Sequence, residues 1–73
     1  MKCLLLSNDK GGRCVPMSRI NDILIEYVGI IDGKEQWVIS VSYAAENEWH
    51  EYYTDSESAT MRYNRLVESL MSY

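Results

Sequence analysis

The side chains best suited to chemistry lie together in one stretch, "NEWHEYYTDSES" at residues 47–58. It holds a tryptophan, the only histidine of the chain, two tyrosines and four acids. The charge of His50 changes readily near neutral pH, so acid–base catalysis and metal binding are the first functions to consider. No nucleophile motif accompanies it, and Glu48 supplies only one further ligand on the same face of a strand. We therefore expect no enzyme activity, no metal site and no cofactor.

The aromatic residues of the chain favour an interaction surface instead. There are two Trp, six Tyr and no Phe. A buried core gains nothing from a phenolic hydroxyl, whereas contact surfaces use Tyr and Trp for large area with one polar group. The candidates for a self-interface or a partner interface are Tyr27, Trp49, Tyr52 and Tyr53. The alternative is that these four side chains complete a second face of the core.

The net charge of −4 is unevenly spread along the chain. Residues 1–20 contain four Lys or Arg and one acid, whereas residues 46–57 contain five acids and no Lys or Arg. An acidic surface repels phosphate backbones at long range and attracts cations, so we expect a basic protein partner and no direct nucleic-acid binding. Trp49, Tyr52 and Tyr53 would anchor this partner. The acids that would steer it are Glu46, Glu48, Glu51, Asp55 and Glu57.

A second candidate site is the glycine-containing segment "DKGGR" at residues 9–13. Consecutive amides in such a turn can bind an anion, helped here by two cations. The residues that would hold a small anionic or nucleotide-like ligand are Lys10, Gly11, Gly12 and Arg13. The spacing is not that of a P-loop, and a plain hairpin turn with solvated basic flanks is the alternative.

Antiparallel strands must position most of these residues. We expect strands at residues 2–7, 13–17, 22–28, 36–44 and 49–54. The dipeptide Asp32-Gly33 predicts a hairpin turn between the third and fourth. The clearest alternation is in "WVISVSY" at residues 37–43, which places large residues on one face and the serines on the other.

A single helix is predicted at the end of the chain, over residues 56–72. Thr54 and Glu57 fit a capping box at its start. The apolar stripe that recurs at helical spacing is Ala59, Tyr63, Leu66, Val67 and Leu70. The residues expected to face water are Arg62, Arg65, Glu68 and Ser69. The chain is thus predicted to be one α+β domain, a small antiparallel sheet of four to five strands with one C-terminal helix packed on one face.

The order of these features resembles that of small sheet-then-helix proteins of bacteria and phages, including the flagellar FlbD type. The resemblance is carried by "LLLSNDKGGRCVPMSRINDI" and by "YYTDSESATMRYNRLVESL". It implies an architecture and no activity, since none of these residues forms a catalytic motif. The segment "VGIIDGKEQ" and the tyrosine-rich junction depart from it.

One helix covers only one face of a sheet, and the other face would collect apolar side chains. Among them are Leu5, Leu24, Val28 and Val38, more than a small monomer normally leaves in water. Either the sheet curls into a partial barrel or two copies pack together. We expect a homodimer or a higher homo-oligomer.

The first residues, "MKCLLLS", hold an apolar run of only four, too short for a signal peptide or a membrane span. We therefore expect a cytoplasmic protein that does not enter a membrane. In that compartment Cys3 and Cys14 would be reduced thiols. The alternative is a disulfide, since the two cysteines could face one another across a hairpin whose turn centres on Asn8 and Asp9.

Together these features predict a small non-enzymatic interaction protein. By analogy it would be an acidic inhibitor encoded by a phage or a mobile element, and it would occlude a basic host protein. The cytoplasm would then be the host's. The alternative is an oligomeric protein that sequesters a small anionic ligand.

Overall fold

The computed structural model describes residues 2–8 and 10–72. Its elements, in chain order, are β1 (Cys3–Asn8), β2 (Gly11–Pro16), a 3-10 turn (Met17–Arg19), β3 (Ile20–Ile31), β4 (Lys34–Tyr43), β5 (Asn47–Tyr53) and α1 (Ser56–Met71). The α+β class with antiparallel strands and one C-terminal helix is confirmed. Strand β3 extends beyond the predicted residues 22–28 at both ends.

The strands form two sheets, not the one sheet that the sequence predicts. β1 and β2 make a two-stranded sheet, and β3, β4 and β5 make a three-stranded sheet in that order. Pro16 has no N–H for a ladder and is followed at once by the 3-10 turn, so β2 cannot continue into the second sheet. At the other end of the first hairpin, Asn8 Nδ2 joins the two sheets by donating to the carbonyl of His50 (3.3 Å). Arg62 Nη2 donates to the carbonyl of Leu5 (3.0 Å), which ties the same hairpin to the helix.

The core lies between the two sheets and the helix. Leu6, Ile39, Val41 and Leu66 are the largest fully buried side chains, one from β1, two from β4 and one from α1. The rest of the buried apolar cluster is Leu4, Val15, Met17, Ile23 and Tyr43. Each fully buried side chain of this size contributes about 1.5–3 kcal/mol relative to exposure. The core therefore depends on all three layers at once.

The N-cap of helix α1 lies one residue later than predicted. Asp55, and not Thr54, is the N-cap: its Oδ2 accepts from the N–H of Ser58 at 2.8 Å. Asp is among the strongest N-cap residues, and its charge also suits the positive end of the helix dipole. Of the four residues expected to face water, Arg62 is turned inward, because Glu51 lies opposite it.

Cys3 and Cys14 form a disulfide, so the expectation of reduced thiols is wrong. The ladder pairs Cys3 with Pro16 and Cys14 with Leu5, which puts both cysteines on the outer face as diagonal neighbours. Their Cα atoms are 5.7 Å apart, within the ordinary range for a disulfide. The expectation of thiols depended on the compartment alone, whereas the register of the hairpin decides the geometry.

The β3–β4 hairpin reaches beyond the rest of the molecule. Strand β5 pairs with β4 only from Trp37 to Tyr43, so among the described residues the pairs from Gly29–Gln36 to Ile31–Lys34 have no third strand. Asp32 and Gly33 both have positive φ (53° and 78°), as a two-residue hairpin turn of this type requires. We call residues 28–36 the arm. The molecule is correspondingly elongated, 42 × 22 × 19 Å.

No helix in the described part of the chain is long and apolar enough to cross a membrane.

Candidate functional site

Strand β5 divides the predicted partner-binding residues between its two faces. Trp49, Glu51 and Tyr53 stand opposite Val41, Ile39 and Trp37 of β4, on the side of the core. Trp49 and Tyr53 are accordingly half-buried against the core. Glu48, His50 and Tyr52 point the other way and are exposed. The remaining predicted residues, Glu46 in the β4–β5 turn, Asp55 at the helix cap and Glu57 in the first helical turn, are exposed outside the strand.

Glu51 is the centre of a buried polar cluster and does not lie on any free surface. It is only 2% exposed. Arg62 donates two hydrogen bonds to its carboxylate, from Nε to Oε1 at 3.0 Å and from Nη2 to Oε2 at 3.1 Å. The hydroxyl of Tyr53 donates a third, at 2.9 Å. Such a bidentate, charge-assisted pair is geometrically specific, and it fixes α1 against β5.

The pKa values in this cluster follow from burial and hydrogen bonding. Burial alone would raise the pKa of Glu51, but the hydrogen bonds from Arg62 and Tyr53 outweigh it and hold the pKa below its ordinary value of 4.5. Burial, together with the hydrogen bond to Glu51, raises the pKa of Tyr53. Glu51 is therefore ionised and Tyr53 neutral around pH 7. Charges arranged in this way hold a fold together and leave Glu51 no free oxygen for a partner.

The second sheet presents one face that no other element in the described part of the chain covers. Its ladder arranges this face in three rows of three: Asp22, Ser42 and Glu48; then Leu24, Ser40 and His50; then Glu26, Val38 and Tyr52. We call these nine residues the open face. Leu24 is 46% exposed and Tyr52 62% exposed, while helix α1 packs on the opposite side of the sheet.

The charge on the open face has one sign. Asp22, Glu26 and Glu48 are exposed acids, and none of the nine residues is Lys or Arg. His50 Nε2 lies 3.7 Å from Glu48 Oε1, so a protonated imidazole would offset part of this charge. Sequence reasoning placed Leu24 and Val38 on an uncovered face of the sheet but missed Asp22 and Glu26 as members of the same surface. The signal that could have found them is the even-numbered alternation of β3, which places them with Val38 and Tyr52 once the hairpin register is known.

A groove of about 780 Å³ separates the edge of the open face from the first hairpin. Ser7, Asn8 and Lys10 line one side of it, and β5 residues 48–53 line the other. Of the four residues predicted to hold an anion, only Lys10 lines this groove. Lys10 borders the groove, but its N–H donates to Asn8 Oδ1 (2.9 Å). Arg13 lies elsewhere, donating to the hydroxyl of Tyr43 at 2.8 Å.

Gly11 and Gly12 belong to the β1–β2 ladder, opposite Asn8 and Ser7. The four residues predicted to hold an anion therefore do not converge on one point. Asp9, the first residue of that segment, lies outside the described residues.

The structure also shows which side chains lie near enough to His50 to act with it in catalysis or metal binding. Both cysteines are in the disulfide, so neither can pair with His50 as a thiolate. Within residues 2–8 and 10–72, no three His, Cys, Asp or Glu side chains lie close enough together to hold a metal ion.

Comparison of the chain with protein-family models, with curated proteins and with solved structures gives no match. The resemblance to the FlbD type therefore stays a prediction.

Proposed function

We propose that the chain is a small non-enzymatic interaction protein whose open face binds a basic, partly apolar protein surface. The observation that carries this proposal is the composition of the open face, three exposed acids and no Lys or Arg around the exposed side chains of Leu24 and Tyr52. Apolar contacts with Leu24, Val38 and Tyr52 would supply affinity, and the acids at the other three corners of the face would steer a cationic partner and raise the association rate.

The geometry changes which residues carry this function. Glu48 and Tyr52 keep the steering and anchoring roles predicted for them. Glu51, Trp49 and Tyr53 support the surface from behind, since they face the core. Leu24 joins Tyr52 as an anchor, and Asp22 and Glu26 join Glu48 at the rim. Occlusion of a host protein by a phage-encoded inhibitor is the biological form that we propose for this binding.

The test is binding of a basic amphipathic peptide rich in Lys and Leu, followed by NMR shifts and calorimetry. The double variant Glu26→Lys, Glu48→Lys should bind at least about tenfold more weakly and lose its dependence on salt, because the steering charges are reversed. Glu57 lies on α1, outside the open face, and is not among the acids now proposed to steer the partner. The matched control is Glu57→Lys, Glu68→Lys, which makes the same change in net charge on exposed positions of α1.

The control should bind as the wild type does. If both double variants lose binding equally, net charge alone is responsible and the open face is not the site. If the largest NMR shifts fall outside Leu24, Val38 and Tyr52, the peptide binds another surface.

We also propose that the chain is a homodimer in solution. The supporting observation is the arm, which exposes Val28, Ile30 and Ile31 on a hairpin that has no third strand in the described part of the chain. Two-stranded hairpins are marginal in water unless another layer packs on them.

The redox state of the two cysteines bears on the compartment in which the protein works. A cytoplasmic protein would normally hold Cys3 and Cys14 reduced, whereas the disulfide favours an oxidising compartment. Rapid trapping of free thiols in cells, followed by mass spectrometry, distinguishes the two, since cytoplasmic protein would take up two labels and oxidised protein none.

A further inference from the structure

The arm is apolar on both of its faces. The register pairs Ile30 with Glu35 on the side of Tyr27 and Trp37, and it pairs Ile31 with Lys34 on the side of the open face. Ile30 is 70% exposed, and Val28 and Ile31 are each about half exposed. Neither α1 nor β5 reaches this part of the hairpin to cover either side. The arm therefore lacks the second layer that a stable hairpin needs.

A β-bulge in β3 lies at the base of the arm. Tyr27 pairs with Trp37 and Gly29 with Gln36, so Val28 is an extra residue and marks a β-bulge. Gly29 has φ 131°, a conformation that L side chains rarely adopt, although a Cβ there would meet no atom within 4 Å. Glycine is therefore favoured at position 29 by the backbone conformation and not by crowding. A β-bulge bends the strand that contains it. The bulge thus separates the arm from the regular part of the β3–β4 ladder.

The charges of the arm fit a second copy of the same chain better than a basic protein. The tip carries Asp32, Lys34 and Glu35, so it has both signs within four residues. About a two-fold axis, Lys34 of each copy can approach an acid of the other. The open face cannot pair with itself in this way, since two copies would bring six acids together.

From these observations we infer that the arm is the dimerisation element: the face that carries Ile31 and Lys34 packs against the same face of a second copy across a two-fold axis. The inference rests on the homodimer proposed above and identifies its contact. It leaves the open face of both copies free for the basic partner. The two exposed apolar regions of the molecule would then have separate occupants.

The test is the oligomeric state of the full chain, measured by sedimentation velocity and light scattering over a dilution series. Wild type should be dimeric at high micromolar concentration. The variant Ile30→Thr, Ile31→Thr keeps β-branched residues, so the hairpin should still form, but its dimer should dissociate at least about tenfold more readily. The matched control is Leu5→Thr, Leu24→Thr, which removes two exposed aliphatic side chains outside the arm.

A charge swap provides a second and independent readout. Lys34→Glu makes the tip wholly acidic and should weaken the dimer, and high salt should restore part of its strength, because screening removes the repulsion between two acidic tips. A role of these residues in folding alone would not produce this restoration. Circular dichroism of each variant checks that the hairpin is intact.

Three results would overturn the inference: a wild-type monomer at every concentration, a dimer of unchanged strength in the isoleucine variant, or equal weakening in the Leu5, Leu24 control. The last of these would place self-association on a surface outside the arm. The proposed function fails separately, when the basic peptide does not bind. Peptide binding by the monomeric isoleucine variant would show that the two surfaces are independent.

Discussion

Replacing Arg62 by methionine is expected to be among the most destabilising substitutions in this chain. The change keeps an apolar stem but leaves the Glu51 carboxylate, 2% exposed, with Tyr53 as its one remaining side-chain donor among the described residues. Breaking a buried ion pair in this way costs about 3–5 kcal/mol. The hydrogen bond from Arg62 to the Leu5 carbonyl, 3.0 Å, is lost as well. A chain of 73 residues has a total stability of roughly 4–11 kcal/mol, so the variant should lie close to unfolding.

The assay is urea unfolding followed by tryptophan fluorescence, with Arg65→Met as the matched control on the exposed side of the same helix. The control should change stability by less than about 0.5 kcal/mol. The double variant Glu51→Leu, Arg62→Met removes both charges and should recover most of the loss, because an apolar pair of similar volume often replaces a buried ion pair without cost. This recovery keeps the prediction testable even if the single variant is unfolded.

The same pair predicts how stability changes with pH. The pKa of Glu51 is lower in the folded chain than its ordinary value of 4.5, so the unfolded chain binds more protons as the solution is acidified. The contribution of Glu51 is therefore present above pH 4.5 and is lost as the pH falls through the folded-state pKa. Glu51→Gln should flatten the pH dependence of the unfolding free energy below pH 4.5.

Two results would refute a role for the unpaired Glu51 charge. If Arg62→Met costs no more than Arg65→Met, Glu51 must be solvated without its partner. If the double variant is as unstable as the single one, the loss comes from packing of the arginine stem or from the Leu5 carbonyl, and not from a buried charge.

Two further predictions concern the helix start and the disulfide. Asp55→Ala should lower the unfolding free energy by about 1 kcal/mol, while Thr54→Ala should leave it nearly unchanged, because only Asp55 caps α1; equal effects in chemical denaturation would contradict this. Cys3→Ser, Cys14→Ser opens a link between residues separated by 11 positions and should cost about 2–3 kcal/mol, read as a lower unfolding midpoint; a midpoint that reducing agent also fails to shift in the wild type would count against a structural disulfide.

Much of the secondary structure was predictable because local patterns specify it. The Asp32-Gly33 turn and the alternation in residues 37–43 identify the β3–β4 hairpin, and the apolar spacing of Ala59, Leu66 and Leu70 identifies the inner face of the helix. The separation into two sheets depends on the three residues after Pro16, where a 3-10 turn interrupts the chain before β3 begins. A turn as short as this has no periodicity from which to predict it.

The candidate site was harder to predict because it depends on register between strands. Glu51 looks like one more surface acid in a run of acids, but alternation places it with Trp49 and Tyr53, and its cation lies 11 residues further along on a helix. A signal was present: Arg62 follows Ala59 by three positions and precedes Leu66 by four, which puts it beside the apolar stripe. The open face needs three strands in register, and no single segment of sequence contains it.

The contact between Arg62 and the Leu5 carbonyl also bears on the order of folding. The two residues are 57 positions apart, whereas each hairpin and the helix can form from neighbours in sequence. Closing so long a loop costs chain entropy that only the assembled core repays, so docking of the first hairpin onto the helix belongs late in folding. β1 and α1 should then gain protection from hydrogen exchange together, as one cooperative unit that shares the buried cluster of Leu4, Leu6 and Leu66 and the Arg62 contact.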